Sequence, residues 1–323
     1  MALDLRMRAL AHAVAVLAAV ALAVFGLMRA SPVDPVAAYL GPAMAQASPE
    51  QMARIAESWG LDRPAPERFA RWAGQVLRGD LGWSTTYAAP VGQVLGERLG
   101  ASALLAGLAW ALSGVLGFAL GLVAAMARDR WPDRVIRLWC YVLAATPTFW
   151  LGMVMIALFA VGLGWAPVCC AGPIGVPSDQ AGLADRLRHL ALPLTALTLF
   201  GVAQIALHTR IKAIEILQSD PVTLARLQGA GPGDILWRHV ARNAALPGVT
   251  VLFASLGEII GGAILAEQVF AWPGLGRATI EAGMRGDVAL LLAIAMLTAV
   301  VVVAANLAAD RLAPALDPRQ RAR

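Results

Sequence analysis

Long stretches that carry almost no charge recur along the chain and predict membrane-spanning helices. A helix needs about 20 mainly apolar residues to cross a hydrocarbon core of ~30 Å. Six stretches meet this requirement, so we expect an all-α, polytopic membrane protein with six transmembrane helices. The six stretches are residues 9–28, 99–127, 138–162, 190–209, 244–267 and 288–309.

The segments between these stretches divide the chain into regions. We expect a cytoplasmic N-terminus, a first helix, an outer (periplasmic) insertion, a core of five helices that contains a long inner loop, and a cytoplasmic tail. Their bounds are 1–8, 9–28, 29–98, 99–309 with the inner loop at 212–245, and 310–323. No small-residue cleavage site closely follows residues 9–28, so this stretch is typical of a retained helix rather than a signal peptide.

The outer insertion carries helix signals of its own. Ser48 followed by Pro49 is typical of a helix start with proline in the first turn. Pro64 and Pro66 end that helix, and a second short amphipathic helix follows at 69–77. The insertion is either a cap packed on the membrane helices or a docking surface for an outer partner, and the two interpretations are compatible.

The composition supports the membrane class. Hydrophobic residues make up 59% of the chain and charged residues only 15%, whereas soluble domains carry about 25% charged residues. This balance excludes a soluble enzyme, and it excludes disorder because disordered chains are poor in apolar residues. The net charge of +5 is spread between the apolar stretches rather than clustered, so we expect no nucleic-acid partner.

Residues for ATP hydrolysis or metal binding are sparse. A P-loop needs Lys followed by Ser or Thr, and the only lysine, Lys212, is followed by Ala213. Any ATP must therefore be hydrolysed by another subunit, and we expect no enzyme activity, no cofactor and no metal site. Cys140, Cys169 and Cys170 are too few for a disulfide framework. The adjacent pair is expected to be reduced or structural, with a soft-metal role as the alternative.

The distribution of charge predicts the orientation in the membrane. With both termini inside, the inner segments hold 15 Lys and Arg against 8 Asp and Glu, and the outer segments hold 11 against 13. Because cationic residues concentrate on the cytoplasmic side, we expect the N-terminus and the C-terminus to be cytoplasmic.

The inner loop between the fourth and fifth stretches has the pattern of a helical elbow. A short helix is expected with Asp220 as its cap and Pro221 at its first position, and the segment from Gly229 to Gly233 ends it. A basic amphipathic helix then leads into the fifth stretch. Such an elbow fits a groove in a partner protein, and its physical pattern alone fits a lipid interface equally well.

The loop resembles that of a known family, the inner-membrane permease subunits of ABC importers for dipeptides, oligopeptides, nickel and metallophores. Several motifs carry this resemblance, in the family's order and over nearly the whole chain. They are Asp34-Pro35, residues 60–64, residues 79–82, residues 147–151, Ala225-Arg226 with Gly229, Arg238-His239, residues 242–247, residues 270–277 and residues 316–319. The broader ABC importer loop usually has Glu six residues before the glycine, where this chain has Thr223.

The resemblance implies the fold of a type I ABC importer permease in a bacterial inner membrane. It also implies the partners: a second permease subunit, two cytoplasmic ATPase subunits and an extracytoplasmic substrate-binding protein. ATP-driven closure of the ATPases would move the inner loop and switch access to the translocation path. The residues expected to couple to the ATPase are Pro221, Thr223, Ala225, Arg226, Gly229, Gly231, Arg238 and His239.

Three polar or helix-breaking residues inside the stretches are candidates for the translocation path. Ionisable residues are costly in a membrane, so Glu258 either lines the path or is a buried, hydrogen-bonded carboxyl group. Gln204 shares one helix face with His208. Pro147 is either a tolerated kink or a gating element.

The cargo and the mechanism leave alternatives open. Residues 257–262 resemble the nickel-transporting members, and a carboxylate in the membrane suits a metal chelate, such as a metallophore complex, with Glu258 as a counter-charge. Di- or oligopeptides are the other cargo. A self-sufficient, ion-coupled secondary transporter or channel is the alternative function, which paired broken helices in inverted repeats would indicate. The sequence has no convincing internal repeat.

Overall fold

A computed structural model describes residues 2–30, 35–40, 44, 47–59, 63–176 and 180–316. The described chain is almost entirely helical, which confirms the all-α class. Its helices are α1 (Ala2–Ala30), α2 (Pro35–Leu40), α3 (Pro49–Trp59), α4 (Ala65–Leu77), α5 (Val91–Met126), α6 (Trp131–Ala145), α7 (Thr148–Met155), α8 (Leu183–Leu217), α9 (Asp220–Leu227), α10 (Pro232–Asp234), α11 (Arg242–Ala254), α12 (Leu256–Val269), α13 (Leu275–Arg285) and α14 (Val288–Leu316). Strands β1 (Trp83–Ser84) and β2 (Ala89–Pro90) form an antiparallel hairpin.

Two segments of π-helix extend these elements. Ile156–Gly162 continues α7, and Ile235–Ala241 joins α10 to α11. Contacts between Cα atoms group the chain into two compact units. One unit contains residues 1–100 and 278–301, and the other contains residues 101–277 and 302–323.

In the first unit, the outer insertion folds as its sequence predicts. The start of α3 is a capping box, because Ser48 Oγ accepts the Gln51 N–H at 3.2 Å and Gln51 Oε1 accepts the Ser48 N–H at 3.0 Å. In α4, the amphipathic pattern places Phe69 and Trp72 against Phe25 of α1. This packing supports the interpretation of the insertion as a cap.

The hairpin of the first unit is joined to the turn between α13 and α14 by one buried carboxylate. Asp287 Oδ2 accepts hydrogen bonds from Ser84 Oγ at 2.5 Å and from the Thr86 N–H at 2.9 Å. Its Oδ1 accepts the Leu290 N–H in the first turn of α14 at 3.1 Å. The carboxylate therefore caps α14 and fixes the hairpin.

The predicted membrane stretches all fall in helices, although two are broken. Helices α5, α8 and α14 are individually long and apolar enough to span a membrane. The α6–α7 pair and the α11–α12 pair qualify as bent spans, which gives up to five among the described residues. The apolar part of α1, Ala11–Leu27, is shorter than those spans.

The third span is broken at Pro147, where the sequence predicted one helix over 138–162. The structure begins α6 at Trp131 and turns the chain by 105° between α6 and α7. Proline has no N–H to continue the helical hydrogen bonds and disfavours helical geometry in the preceding residue. Thr146 is accordingly extended, with ψ at 124°. Pro147 is thus the site of a break rather than a tolerated kink.

The fifth span bends by 41° around Ser255, between α11 and α12. A broken helix leaves carbonyl groups without helical partners, which is costly in an apolar environment. Here the Leu252 carbonyl accepts the Trp110 indole N–H at 2.7 Å and the Ser255 hydroxyl at 2.9 Å. The break therefore has its own stabilising contacts.

Helices α5 and α8 cross at very short distance in the second unit. A Cβ atom on Gly121 would lie 2.6 Å from Thr209 Cβ and 2.7 Å from the Ala206 carbonyl oxygen. A Cβ atom on Gly117 would lie 2.7 Å from Ile205 Cβ. The two glycines are four residues apart on one face of α5, the small-residue spacing that lets membrane helices pack closely.

Candidate functional site

The inner elbow is built from a short helix with well-defined ends. Helix α9 begins after Ser219, with Pro221 in its first turn, one residue earlier than the Asp220 cap that the sequence indicates. At its end, Gly229 has a φ of +90°, which glycine adopts at low cost. The Gly229 N–H donates to the Arg226 carbonyl and the Ala230 N–H donates to the Ala225 carbonyl, both at 3.0 Å. This Schellman motif reverses the chain toward α10.

One face of the elbow is buried in the protein itself. Val222 of α9 is 1% exposed and belongs to an apolar cluster formed by the inner ends of several helices. The buried members of this cluster, which we call the elbow cluster, are Leu122, Ala125, Ala213, Val222, Ile235, Val240, Ala241 and Ala244. They come from α5, α8, α9, the second π-helical segment and α11. The elbow is therefore packed directly on the helices of the membrane core.

The opposite face of α9 is apolar and open. Leu224 is 56% exposed and Leu227 is 81% exposed, and Thr223 and Arg226 are exposed beside them. We call these four residues the outward face. Leucines at the centre of an exposed surface are costly to leave in water. A patch of this kind is typical of a protein interaction site.

The coupling residues predicted from the resemblance do not share one surface. Ala225 is only 8% exposed and lies on the buried face with Val222. Arg238 pairs with Asp234 at 2.8 Å, and this pair is largely exposed. The remaining members have mixed surroundings: Pro221, Gly229 and Gly231 are exposed, and His239 is half-buried. The exposed leucines are functional candidates that sequence analysis missed, although their spacing of three residues is a readable signal.

A second candidate site lies along α11 and α12. The exposed positions Ala254, Glu258, Gly261, Leu265 and Gln268 recur at helical spacing. We call these five residues the α12 stripe. The opposite face of α12, which includes Ile259 and Ala263, is buried against α5 and α8.

Glu258 lies in the first turn of α12, just after the break in the span. No hydrogen bond or ion pair joins its carboxylate to another described residue. This environment does not match a buried, hydrogen-bonded carboxyl group, so it favours the interpretation of Glu258 as a residue that lines the path. An unpaired carboxylate and a glutamine on a surface at membrane depth are poorly suited to lipid contact.

Gln204 and Pro147 occupy different places. Gln204 is half-buried on α8, three residues after Gly201, whose vacant Cβ position faces Ser113 of α5 and, at a greater distance, Ile259 of α12. Pro147 is exposed at the break between α6 and α7, the two helices that precede α8 in the chain. No hydrogen bond between Glu258 and Gln204 occurs in the described part of the chain.

Glu267, one of the acidic residues of the fifth span, organises the turn after α12. It is 1% exposed, and its carboxylate accepts Ser102 Oγ at 2.6 Å, the Gly276 N–H at 2.6 Å and the Arg277 N–H at 3.3 Å. A Cβ atom on Gly274 would overlap this carboxylate. Glu267 is thus a structural residue.

Cys169 and Cys170 form a disulfide in the segment after α7. The sequence alone is compatible with either a reduced or a structural pair. The Cys170 N–H donates to the Phe270 carbonyl at 2.8 Å, so the pair also anchors its segment to the end of α12. Cys140 is a free, buried thiol.

Comparison with known proteins places these features in a family. The profile described as "Binding-protein-dependent transport system inner membrane component" matches residues 117–322. The probable peptide ABC transporter permease protein y4tP of Sinorhizobium fredii is 34% identical over 315 residues, 98% of each chain. The oligopeptide transport system permease protein AppB of Bacillus subtilis is 31% identical over 296 residues, 91% of this chain and 92% of its own.

The fold is also similar to a solved structure. An inward-facing structure of the MetNI methionine ABC transporter aligns with a TM-score of 0.55 and 18% identity, over 70% of this chain and 97% of the matched chain. At that identity the likeness concerns the fold alone. The family profile and the relatives at more than 30% identity show that this chain belongs to the binding-protein-dependent transport system inner-membrane components, the permease subunits of ABC importers.

Proposed function

We propose that the chain forms half of the translocation path of an ATP-driven peptide importer. The observation that carries this proposal is the elbow, which has one face buried in the membrane core and an apolar outward face free for a partner. A second permease subunit would complete the path. Two ATPase subunits would bind the elbows, and a binding protein would deliver cargo from outside.

The peptide cargo rests on the relatives. The y4tP and AppB proteins, and a putative peptide permease protein of Brucella ovis that is 32% identical over 304 residues, are all named for peptide transport. None of these names supports the nickel or metallophore cargo that residues 257–262 suggested. We therefore favour peptides over metal chelates.

The proposed orientation places both termini and the elbow in the cytoplasm, in the inner membrane of a bacterial cell. Its support is the excess of cationic residues in the inner segments. The outer insertion, 29–98, would then face the binding protein. The residues of the tail from 317 onward lie outside those that the structure describes.

The α12 stripe is our proposed path-lining surface. Its unpaired carboxylate needs water, cargo or a polar partner rather than lipid. In a peptide path, the Glu258 carboxylate can compensate the positive charge of a terminal ammonium group. Gln204 would contribute from α8, and Pro147 would act through the α6–α7 break rather than by contact with cargo.

Replacement of Glu258 tests this assignment. Glu258→Gln keeps the shape of the side chain and removes its charge, so we expect uptake of radiolabelled trialanine by cells to fall roughly tenfold, equivalent to about 1.4 kcal/mol of lost interaction. Assembly with the other subunits should be unchanged. Glu97→Gln, at an exposed carboxylate that accepts a hydrogen bond from Gln93, is the matched control. Uptake at the wild-type rate in Glu258→Gln would remove the stripe from the path.

A further inference from the structure

A buried ion pair joins α6 to α8 next to the elbow. Arg210 donates from Nε to Asp133 Oδ1 at 2.6 Å and from Nη2 to Asp133 Oδ2 at 2.7 Å. Asp133 is fully buried, and it also accepts the Asp129 N–H at 2.9 Å. Arg137 Nε lies 3.4 Å from the same carboxylate. The two parallel hydrogen bonds fix the relative orientation of the two side chains.

The position of Arg210 links this pair to the elbow. Ala213, one turn further along α8, is a fully buried member of the elbow cluster. The cluster contains residues of α5, α8, α9 and α11, and its buried members include none from α6. Helix α6 is connected to this cluster by the short turn after α5, at 127–130, and by the ion pair to α8.

The rest of the α6–α8 contact has little directionality. Cys140 and Leu143 of α6 pack against Ala203 and Ala206 of α8. Apolar packing of this kind lacks the fixed two-point geometry of the ion pair. At its far end, α6 is separated from α7 by the break at Pro147, so one continuous helix does not join the two.

We propose that Asp133 and Arg210 act as a coupling clamp, which makes α6 follow α8 when the ATPase moves the elbow. The clamp is a positioning device, and it passes the movement of the elbow to the broken α6–α7 span. A buried ion pair contributes little to stability compared with apolar packing. At this position the ion pair serves to fix the orientation of α6 relative to α8. The inference rests on the proposed role of the elbow as the ATPase lever.

The chain contains a natural reporter for this movement. Cys140 lies seven residues after Asp133, two turns along the same face of α6, and is completely buried. Because Cys169 and Cys170 are joined, Cys140 is the only free thiol of the chain. Cys140 packs with Ala203 and Ala206 of α8. Separation of α6 from α8 therefore exposes it to reagents.

The experiment measures modification of Cys140 by N-ethylmaleimide, by peptide mass spectrometry, in the purified transporter complex in lipid nanodiscs. The test variant is Asp133→Asn with Arg210→Gln, which removes both charges of the clamp. We expect its Cys140 to react about fivefold faster during ATP turnover than without nucleotide, because local separation exposes it. In the wild type the two rates should agree within about twofold, since the clamp holds α6 on α8.

Asp129→Asn is the matched control, because it removes an exposed ion pair with Arg128 in the same turn and keeps the backbone N–H that Asp133 accepts. We expect it to match the wild type. Equal rates with and without ATP in the clamp variant overturn the proposal, and so does rapid modification without nucleotide, which indicates a static packing role.

Arg210→Lys provides a second test, since it keeps the charge and loses the two-point geometry. If the double variant does not assemble, the same comparison is made with Arg210→Lys, and failure of both to assemble also overturns the proposal. The proposed function fails differently: in that case no ATPase subunit accompanies the wild-type chain. Failure of the clamp alone leaves ATPase association and ATP hydrolysis intact.

Discussion

Leu227→Asp should abolish association of the ATPase subunit with the membrane domain and, with it, ATP-driven uptake. Leu227 is the most exposed apolar residue of the outward face, and Leu224 lies one turn before it. Burial of a leucine in a partner's groove contributes roughly 1.5–3 kcal/mol, and a buried, unpaired carboxylate in its place adds a further penalty. The combined loss corresponds to at least a hundredfold weaker binding, roughly 2.8 kcal/mol. Affinity purification through a tag on the second permease subunit, with quantification of the ATPase, measures it.

The same experiment distinguishes the two faces of α9. Ala225→Arg places a long cation on the buried face, so we expect it to disturb the elbow itself and to lower the yield of folded membrane domain. Leu227→Asp should leave that yield unchanged. Leu187→Asp, at an exposed leucine in the N-terminal part of α8, is the control for the chemical change. Full ATPase association in Leu227→Asp would show that the outward face is not the docking site.

Gly121→Ala should be among the most destabilising single-methyl changes in the chain. Its new Cβ atom would meet Thr209 Cβ and a backbone carbonyl of α8 at less than the shortest normal contact distances. Neither atom can move without displacing the helix, and overpacking of this kind costs about 1–3 kcal/mol. We expect the midpoint of thermal unfolding of the purified complex to fall by several degrees, by roughly 2–4 °C for each kcal/mol.

Gly107→Ala is the matched control on the same helix. A Cβ atom there has no neighbour within 4 Å. Alanine is better than glycine in a helix by about 1 kcal/mol, so this variant should be as stable as the wild type or more stable. An unfolding midpoint for Gly121→Ala equal to that for Gly107→Ala would contradict the close α5–α8 crossing.

Much of the fold follows from local pattern. The apolar stretches locate the membrane helices, and the Ser48 and Pro64 signals locate the helices of the insertion, because these features depend on neighbours within one or two turns. The glycines that end α9 are likewise recognised from the residues next to them in the sequence. The sequence also shows Pro147, but it does not show whether the helix bends slightly or breaks, since surrounding contacts decide that outcome.

The functional surfaces are less predictable because they depend on distant partners. Ala225 matches the family motif, yet it lies on the buried face of α9 beside Val222, whose elbow cluster is completed by residues from four other segments. Asp133 and Arg210 are 77 positions apart, and neither carries a motif. Ser102 and Glu267 are 165 positions apart. Charge and hydropathy alone do not pair such residues.

The central claim is that this permease works only as part of an ATP-driven complex. The most direct measurement is purification of the tagged full-length chain from membranes, identification of the accompanying proteins, and assay of trialanine uptake after reconstitution with the binding protein. We expect a second permease subunit and two ATPase subunits to accompany the chain. Uptake should require ATP on the side of the vesicle membrane that the ATPase subunits face. The purified chain alone, transporting cargo in response to an ion gradient without any ATPase, would contradict it.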